Sequence, residues 1–121
     1  FTLTGGRTPL KGLGGAVAGS AASYGQFIAD CIVTNNSANN SHAGALSSIG
    51  VVRCYINDNY APVSSVYGCD IVNTVFGPSP SAPNAHCNGR SYFCTFLKGS
   101  TRNGHTSDSL VLGNSDGGEQ R

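Results

Sequence analysis

Hydrophobic and polar positions alternate in a short pattern that returns along the chain. Residues 31–36 read Cys-Ile-Val-Thr-Asn-Asn, so that Cys31 and Val33 share one face and two Asn residues follow. Because strand side chains alternate between the two faces of a sheet, this order predicts a short β-strand that ends in a turn. Further copies of the pattern begin at Phe1, Cys54, Cys69, Cys94 and Ser109.

Two positions of each copy are predicted to point into a core. The first position holds a small thiol in four copies, and the position two residues later is apolar in every copy, as expected for a buried strand face. The predicted core ladder consists of Cys31, Cys54, Cys69, Cys94, Val33, Ile56, Ile71, Phe96 and Val111. Leu3 is the equivalent apolar residue of the copy that begins at Phe1.

Each copy ends in residues that favour a sharp turn. Asn, Asp and Gly tolerate left-handed backbone angles, and they occupy most of the two positions after each strand. If the turns lie above one another, the side-chain amide of one turn can bond to the next. We therefore predict a turn ladder of Asn36, Asn59 and Asn114.

Recurring copies of one pattern favour a β-solenoid, in which each copy is a rung stacked on its neighbours. The intervals between successive copies from Cys31 onward are 23, 15, 25 and 15 residues. With 121 residues the chain is expected to form a single domain, residues 1–121, of about five to six rungs. Because 15 residues is short for one rung, a two-sheet β-sandwich is the alternative fold.

Two polar stretches are predicted to be loops that leave the stack. Residues 77–90 contain three of the five prolines, which a central strand does not accommodate, and residues 98–107 are polar. The tail, residues 113–121, is polar as well. Because recognition is often placed on loops of a rigid scaffold, the predicted ligand contacts are Arg90, Tyr92, Lys98, Arg102 and His105.

The repeated strand, together with the Gly-Gly-Ala-Val stretch at residues 14–17, resembles the right-handed parallel β-helix repeats of bacterial secreted and surface proteins. This is the pectate-lyase-like class of solenoid. The first residues, Phe-Thr-Leu-Thr-Gly-Gly, are similar to the first rung of such domains. The resemblance covers nearly the whole chain except residues 77–90 and the tail. It implies an all-β, right-handed parallel β-helix in an exported protein that serves as an adhesin, a spacer or a polysaccharide-handling scaffold.

Composition limits the classes of partner. The formal net charge is +1, which predicts no steering towards nucleic acid, and no apolar run is long enough for membrane insertion. The low content of charged residues suits an extracellular or cell-surface location. Two sequons make Asn35 and Asn39 candidate glycosylation sites.

The five cysteines are expected to be structural. Four occupy the inward position, where directly stacked parallel side chains rarely have the torsion that a disulfide needs, so buried free thiols are favoured. Cys87 lies on the Pro-rich stretch and is a candidate disulfide partner of Cys94. The spacings of Cys and His do not predict a metal site, and we expect no cofactor.

No constellation of catalytic residues is visible, and we expect no enzymatic activity. Asp30 and Arg53 occupy the same position in consecutive copies, which predicts a cross-rung ion pair. The copies reach both ends of the chain without a cap, so head-to-tail self-assembly into a fibre, or membership of a longer surface protein, is the preferred function. The alternative is a polysaccharide-binding or polysaccharide-cleaving module with glycans as partners.

Overall fold

The computed structural model describes residues 1–8, 15–19, 25–38, 45–60, 66–77, 86–97, 101–112 and 119–120, which form an all-β structure. The strands are, in chain order, β1 Thr2–Thr4, β2 Arg7–Thr8, β3 Val17–Ala18, β4 Phe27–Ala29, β5 Ile32–Thr34, β6 Ser37–Ala38, β7 Leu46–Ser47, β8 Gly50–Val52, β9 Tyr55–Asn57, β10 Val66–Val72, β11 Val75–Phe76, β12 His86–Tyr92, β13 Thr95–Phe96, β14 Thr101–Ser107, β15 Leu110–Val111 and β16 Glu119–Gln120.

The strands form two large sheets and one small one. Sheet 1 has six strands in the order β1-β5-β9-β11-β13-β15, and β2 pairs with β6 in a sheet of two. Sheet 2 has eight strands: β3-β7-β10-β12-β14-β16 in one row, with β4 and β8 joined to it through β10. All strand pairings formed by the described residues are parallel, which differs from the antiparallel hairpins of a β-sandwich.

The chain passes alternately through sheet 1 and sheet 2, and within each sheet neighbouring strands follow one another in chain order. We call the path from one strand of sheet 1 to the next a circuit. Equivalent residues in successive circuits are 30, 23, 20, 20 and 15 positions apart, as the hydrogen bonds that join them record. The circuits therefore shorten from the first to the last.

Sheet 2 is bent in its early circuits and straighter in its later ones. β10 pairs first with β7 and then with β8, and Ser48 has a positive φ of 53° between those two strands. Gly68, with a φ of 64°, lies at the matching bend of β10, where the pairing with β12 shifts its register. β12 and β14 pair without such a shift over seven residues.

The core lies between the inward faces of the two large sheets. In sheet 1 one column of paired residues consists of Leu3, Val33, Ile56, Phe76, Phe96 and Val111. Phe76 and Phe96 stack with their ring centroids 4.8 Å apart. Opposite them, sheet 2 buries Val51 and Ile71 completely. Except for Leu3, these positions hold β-branched or aromatic residues, as the preference of such residues for strands predicts.

The predicted core ladder is wrong at one copy. Cys69 and Ile71 belong to β10 of sheet 2, and Thr74 and Phe76 take their places in the columns of sheet 1. Both Cys69 and Ile71 are nevertheless buried in the same core. With Thr74 in place, the irregular intervals of 15 and 25 residues become two intervals of 20.

The predicted loops are also corrected in part. Residues 86–90 belong to β12 and residues 101–107 to β14, so each predicted loop contains most of a central strand. In the tail, Glu119 and Gln120 form β16, which pairs with β14. Residues 78–85, 98–100 and 113–118 lie outside the described residues.

Gly6 is required by a close approach of two backbone stretches in the first circuit. Gly6 lies against the carbonyl of Gly15, and a Cβ atom at residue 6 would overlap that carbonyl. Such contact between two stretches of backbone is the role that glycine is expected to have where strands pack closely. The first circuit therefore depends on Gly6.

Candidate functional site

A corner of the backbone recurs where the chain passes from sheet 2 to sheet 1. The corner residue has a positive φ of 48–56° in five successive circuits. The five corner residues are Asp30, Arg53, Asn73, Phe93 and Asp108. A left-handed conformation costs a non-glycine residue about 1–2 kcal/mol, so each of these corners must be held by its surroundings.

The residue after each corner carries a hydroxyl or thiol that donates to the carbonyl two residues before it. The bonds are Cys31 Sγ to Ala29 O at 3.1 Å, Cys54 Sγ to Val52 O at 3.3 Å, Thr74 Oγ1 to Val72 O at 3.0 Å, Cys94 Sγ to Tyr92 O at 3.2 Å and Ser109 Oγ to Ser107 O at 2.8 Å. We call these five residues the thiol–hydroxyl column.

The column also joins one circuit to the next. The backbone N–H of Cys54 donates to Thr74 Oγ1 at 3.2 Å, and the N–H of Cys94 donates to Ser109 Oγ at 2.9 Å. Thr74 and Ser109 thus each fix their own corner and accept a hydrogen bond from the preceding circuit. These hydrogen bonds give the two side chains a structural role at their corners.

Cys69 has the same local arrangement at a different place. It follows the positive-φ residue Gly68, and its Sγ donates to Tyr67 O at 3.5 Å. Cys69 therefore resembles the other copies in sequence because it serves the same kind of corner, although that corner lies within sheet 2. The hydroxyl of Thr74 makes the same hydrogen bond as a thiol, but a search for Cys in the sequence does not find it. The regular interval of 20 residues from Cys54 to Thr74 and from Thr74 to Cys94 could have identified it.

The described thiols are free and mostly buried. Cys54, Cys69 and Cys94 are buried, and Cys31 is half-buried. Burial raises the pKa of the Cys69 thiol to about 11, and burial likewise raises the pKa values of Cys54 and Cys94. These three thiols stay protonated at neutral pH, which opposes both nucleophilic chemistry and metal binding.

The candidate disulfide between Cys87 and Cys94 is not formed, and the favoured expectation of a buried free thiol is confirmed at Cys94. Cys94 is a free, buried thiol whose Sγ donates to Tyr92 O. Cys87 lies on β12 in sheet 2 and pairs with Val66 and Arg102, whereas Cys94 precedes β13 in sheet 1. The two cysteines were close in sequence, but the corner at Phe93 sends them to different sheets.

The opposite corner, after the strands of sheet 1, contains a column of buried amides. Asn36 and Asn59 are each about 1% exposed and follow the positive-φ residues Asn35 and Asp58. Each amide nitrogen donates to the carbonyl two residues before it, at 3.0 Å. We call Asn36 and Asn59 the amide column; Asn114, the third predicted member, lies outside the described residues.

The amide column connects three circuits. Asn59 Oδ1 accepts the N–H of Asn36 at 3.0 Å, and Asn36 Oδ1 accepts the N–H of Gly6 at 2.9 Å. The amide nitrogens also donate to the preceding circuit, from Asn36 to Leu3 O and from Asn59 to Val33 O, at 2.9 Å each. These buried amides satisfy backbone groups that would otherwise lack partners.

Ion pairs on the outer surface run between neighbouring circuits. Arg53 makes two bonds of 2.8 and 2.9 Å to the carboxylate of Asp30, the pair that the sequence predicted. Arg90 makes two bonds of 2.8 Å to Asp70, a pair that the sequence reasoning missed because of the shifted register. The hydrogen bond from Arg53 lowers the pKa of the Asp30 carboxyl. All four side chains are more than half exposed.

The predicted ligand contacts lie mainly on strands. Arg90 and Tyr92 are on β12, and Arg102 and His105 are on β14, where His105 pairs in register with Arg90. Lys98 lies outside the described residues, as does Asn39, one of the two sequon sites. Asn35, the other sequon site, is exposed at its corner. The structure thus brings Arg90, Tyr92 and His105 to one part of sheet 2.

A shallow groove of about 430 Å³ runs along the thiol–hydroxyl corner. The residues that line it are Asp30, Cys31, Ile32, Arg53, Cys54, Tyr55, Asn73 and Val75. The Asp30–Arg53 ion pair at this groove already satisfies its two charges. The groove is open to solvent and does not have the enclosed shape of a small-molecule site.

The described side chains do not form a metal centre, since no three of the His, Cys, Asp or Glu type lie together among them as metal ligands would. The described residues also include no helix of the length and hydrophobicity that crossing a membrane requires. Comparisons of the chain with protein-family models, with curated proteins and with solved structures find no significant match.

Proposed function

We propose that the chain is a right-handed parallel β-helix that serves as an extracellular structural or adhesive building block and assembles end to end. The observation that carries this proposal is the pair of stacked columns. The thiol–hydroxyl column and the amide column use their polar groups to join successive circuits. Side chains used in this way build a rigid rod rather than a reaction centre.

The handedness of the β-helix follows from a general rule. Connections between parallel strands of one sheet are right-handed in about 98% of cases, because a twisted strand packs its crossover back onto the sheet only in that way. The parallel, chain-ordered strands of sheet 1 are consistent with such connections. A crystal structure of the chain tests the hand directly, and a left-handed path would contradict the proposal.

The arrangement of sheet 1 supports assembly. Its strands pair in parallel and follow one another in chain order. A ladder of this kind is extended by any further strand of the same pattern, whether from a second copy or from a longer chain. The extracellular location rests on the low charge content and on the exposed sequon residue Asn35.

The assembly is tested on the purified chain over a wide range of concentrations. We expect negative-stain microscopy to reveal rods that lengthen with concentration, and sedimentation velocity to give a rising average sedimentation coefficient. Monodisperse single chains at every concentration would contradict end-to-end assembly.

A second candidate function is glycan binding on the outer face of sheet 2. The observation that favours it is the register of β12 and β14, which places Arg90 opposite His105 and Tyr92 opposite Ser107. Arg and Tyr residues two positions apart on one strand are suited to hydrogen bonding and stacking with sugars. A glycan array tests this function, and binding that persists in Tyr92→Ala and His105→Ala variants would exclude this face.

A further inference from the structure

Two thiols are neighbours in the thiol–hydroxyl column. Cys31 and Cys54 occupy the same position in successive circuits, since the N–H of Tyr55, the residue after Cys54, donates to Cys31 O at 2.9 Å. At the later junctions a hydroxyl intervenes, because Thr74 lies between Cys54 and Cys94 and the member after Cys94 is a serine. Among the described members of the column, two thiols are therefore adjacent only between the circuits of Cys31 and Cys54.

The two sulfur atoms have the same orientation. Each Sγ donates to the carbonyl two residues earlier, at 3.1 Å from Cys31 and 3.3 Å from Cys54. Side chains of the same orientation on neighbouring parallel strands are separated by the strand spacing of about 4.8 Å. Cys54 Sγ also lies 3.9 Å from Ile28 O, so it is directed towards the circuit of Cys31. The two sulfur atoms therefore lie one above the other, about one strand spacing apart.

This separation does not suit a disulfide, whose S–S bond is about 2.05 Å long, but it suits a bridging metal ion. A metal–thiolate bond is about 2.3 Å long, so two such bonds in line span about 4.6 Å. Zinc takes four ligands, whereas the described residues do not gather even three of the His, Cys, Asp or Glu type. The geometry therefore fits a soft ion that accepts two thiolates, the class to which Cu(I) belongs.

The shallow groove along the thiol–hydroxyl corner connects this pair to solvent. Both cysteines line the groove, Cys31 as a half-buried residue and Cys54 with 5% of its surface exposed. Arg53 lines it as well, and its pKa is raised first by the hydrogen bond to Asp30 and also by the nearby Cys54 thiol. The guanidinium thus favours negative charge on that sulfur, and Asp30, its ion-pair partner, offsets part of this effect.

We propose that Cys31 and Cys54 bind a soft, two-coordinate metal ion of the Cu(I) class between them and that this ion clamps two successive circuits. Each thiol releases its proton to solvent as its sulfur–metal bond forms, so one monovalent ion replaces two protons and leaves one negative charge on the site. Burial, the main cause of the raised pKa of Cys54, makes this release costly. That cost opposes ions that bind thiolates weakly, whereas soft ions form thiolate bonds strong enough to displace the proton.

The experiment titrates the folded chain with Ag(I), a redox-stable probe of the Cu(I) class, by calorimetry. Every protein compared carries Cys87→Ser, so that the fifth thiol does not compete. We expect one tightly bound ion per chain, two protons released per ion, and two sulfur neighbours of silver by X-ray absorption. Cys31→Ser and Cys54→Ser should each weaken binding by at least about 100-fold, because a single thiol lacks the second ligand. Ag(I) should raise the melting temperature of the parent chain but of neither variant.

Two matched controls lie in the same column. Cys94→Ser replaces a thiol whose described neighbours in the column carry hydroxyls, and it should leave Ag(I) binding unchanged. Thr74→Cys makes four successive members thiols and should add a second ion. Tight binding in either serine variant of the pair, an equal loss with Cys94→Ser, or one sulfur neighbour per ion would overturn the bridge. Circular dichroism confirms that each variant is folded, and Cys31→Ser, at the half-buried position, decides the question if Cys54→Ser does not fold.

Discussion

Two kinds of corner solve the same backbone problem with different chemistry. At both corners a residue with positive φ is followed by a side chain that donates to the carbonyl two residues earlier. At the amide column the side chain is Asn in both described members, whereas the other column accepts Cys, Thr and Ser. An amide has two N–H donors and an acceptor, so it joins its own corner and the preceding circuit by several bonds.

A thiol or hydroxyl has one donor and a weaker or smaller set of contacts. Its column is therefore tolerant of residue type, and its members are harder to recognise in sequence. The difference indicates that a position tolerates fewer residue types when its side chain must form hydrogen bonds with more backbone groups. Four changes test this comparison.

The largest effect is expected for Asn59→Ala. The change removes the acceptor of the Asn36 N–H and the donor to Val33 O and Asn57 O, all at buried or half-buried positions. We expect a loss of about 2–4 kcal/mol in the free energy of unfolding, measured by urea denaturation. Cys54→Ser, which keeps a donor in the other column, is the control and should cost clearly less. Equal losses would contradict the distinction between the columns.

Alkaline pH is expected to weaken the thiol corners selectively. The pKa of Cys69 is about 11 in the folded chain, against an ordinary value of 9.0. Its contribution to stability is therefore complete below pH 9 and is lost as pH rises from 9 through 11, because the unfolded chain releases its proton first. We expect a loss of about 1.4 kcal/mol at about pH 10.

The measurement is urea denaturation of the unchanged chain and of Cys69→Ser at about pH 8 and about pH 10, on either side of the ordinary thiol pKa. Serine does not ionise in this range, so the difference between the two proteins isolates the thiol from the tyrosines. If the difference in unfolding free energy between the two proteins were the same at both pH values, the folded chain would not raise the pKa of Cys69, and the prediction would be wrong.

Replacement of the hydroxyl of Thr74 tests whether this position belongs to the thiol–hydroxyl column. Thr74→Val keeps the shape of the side chain but removes the acceptor of the Cys54 N–H and the donor to Val72 O. We expect a loss of about 1 kcal/mol, measured by thermal or urea unfolding. Thr74→Ser retains the hydroxyl and should approach the unchanged chain. If valine and serine behaved alike, the hydroxyl would have no structural role.

The smallest effect is expected at Phe93, where the corner residue is poorly suited to its conformation. Phe93 has a φ of 53° and is 62% exposed, whereas the equivalent corner one circuit earlier holds Asn73. Phe93→Asn should stabilise the chain by under ~1 kcal/mol, because Asn tolerates the left-handed region better. Phe93→Leu serves as the control, since it removes the ring without that advantage. A loss of stability with Asn would indicate that the exposed ring makes a contact of its own.

Most of sheet 1 could be predicted because its signal is local. Period-two alternation and a turn residue identified Leu3, Val33, Ile56, Phe96 and Val111, which share one column in the structure. The error at Cys69 arose because a thiol after a positive-φ residue serves corners in both sheets. The residues around Cys69 did not indicate whether its corner lies within sheet 2 or between the two sheets.

The strands of sheet 2 were harder to predict. β12 and β14 read as polar loops, because Asn, Gly, Arg and His at their positions are not typical of strands. They form strands because each is paired with neighbours on both sides. Pairing across circuits overrides local propensity, and the Asp70–Arg90 pair could be found only after the register was known.

By itself, the sequence determined that the chain is all-β, that its strands repeat, and that Asn36 and Asn59 mark corners. These features depend on residues within a few positions of one another, where alternation and turn chemistry act directly. Only the tertiary structure decided which corner each cysteine serves, that Cys87 and Cys94 lie in different sheets, and which charges meet. Those outcomes depend on the register between circuits, which is fixed by residues 15 to 30 positions apart and therefore leaves little trace in any single stretch.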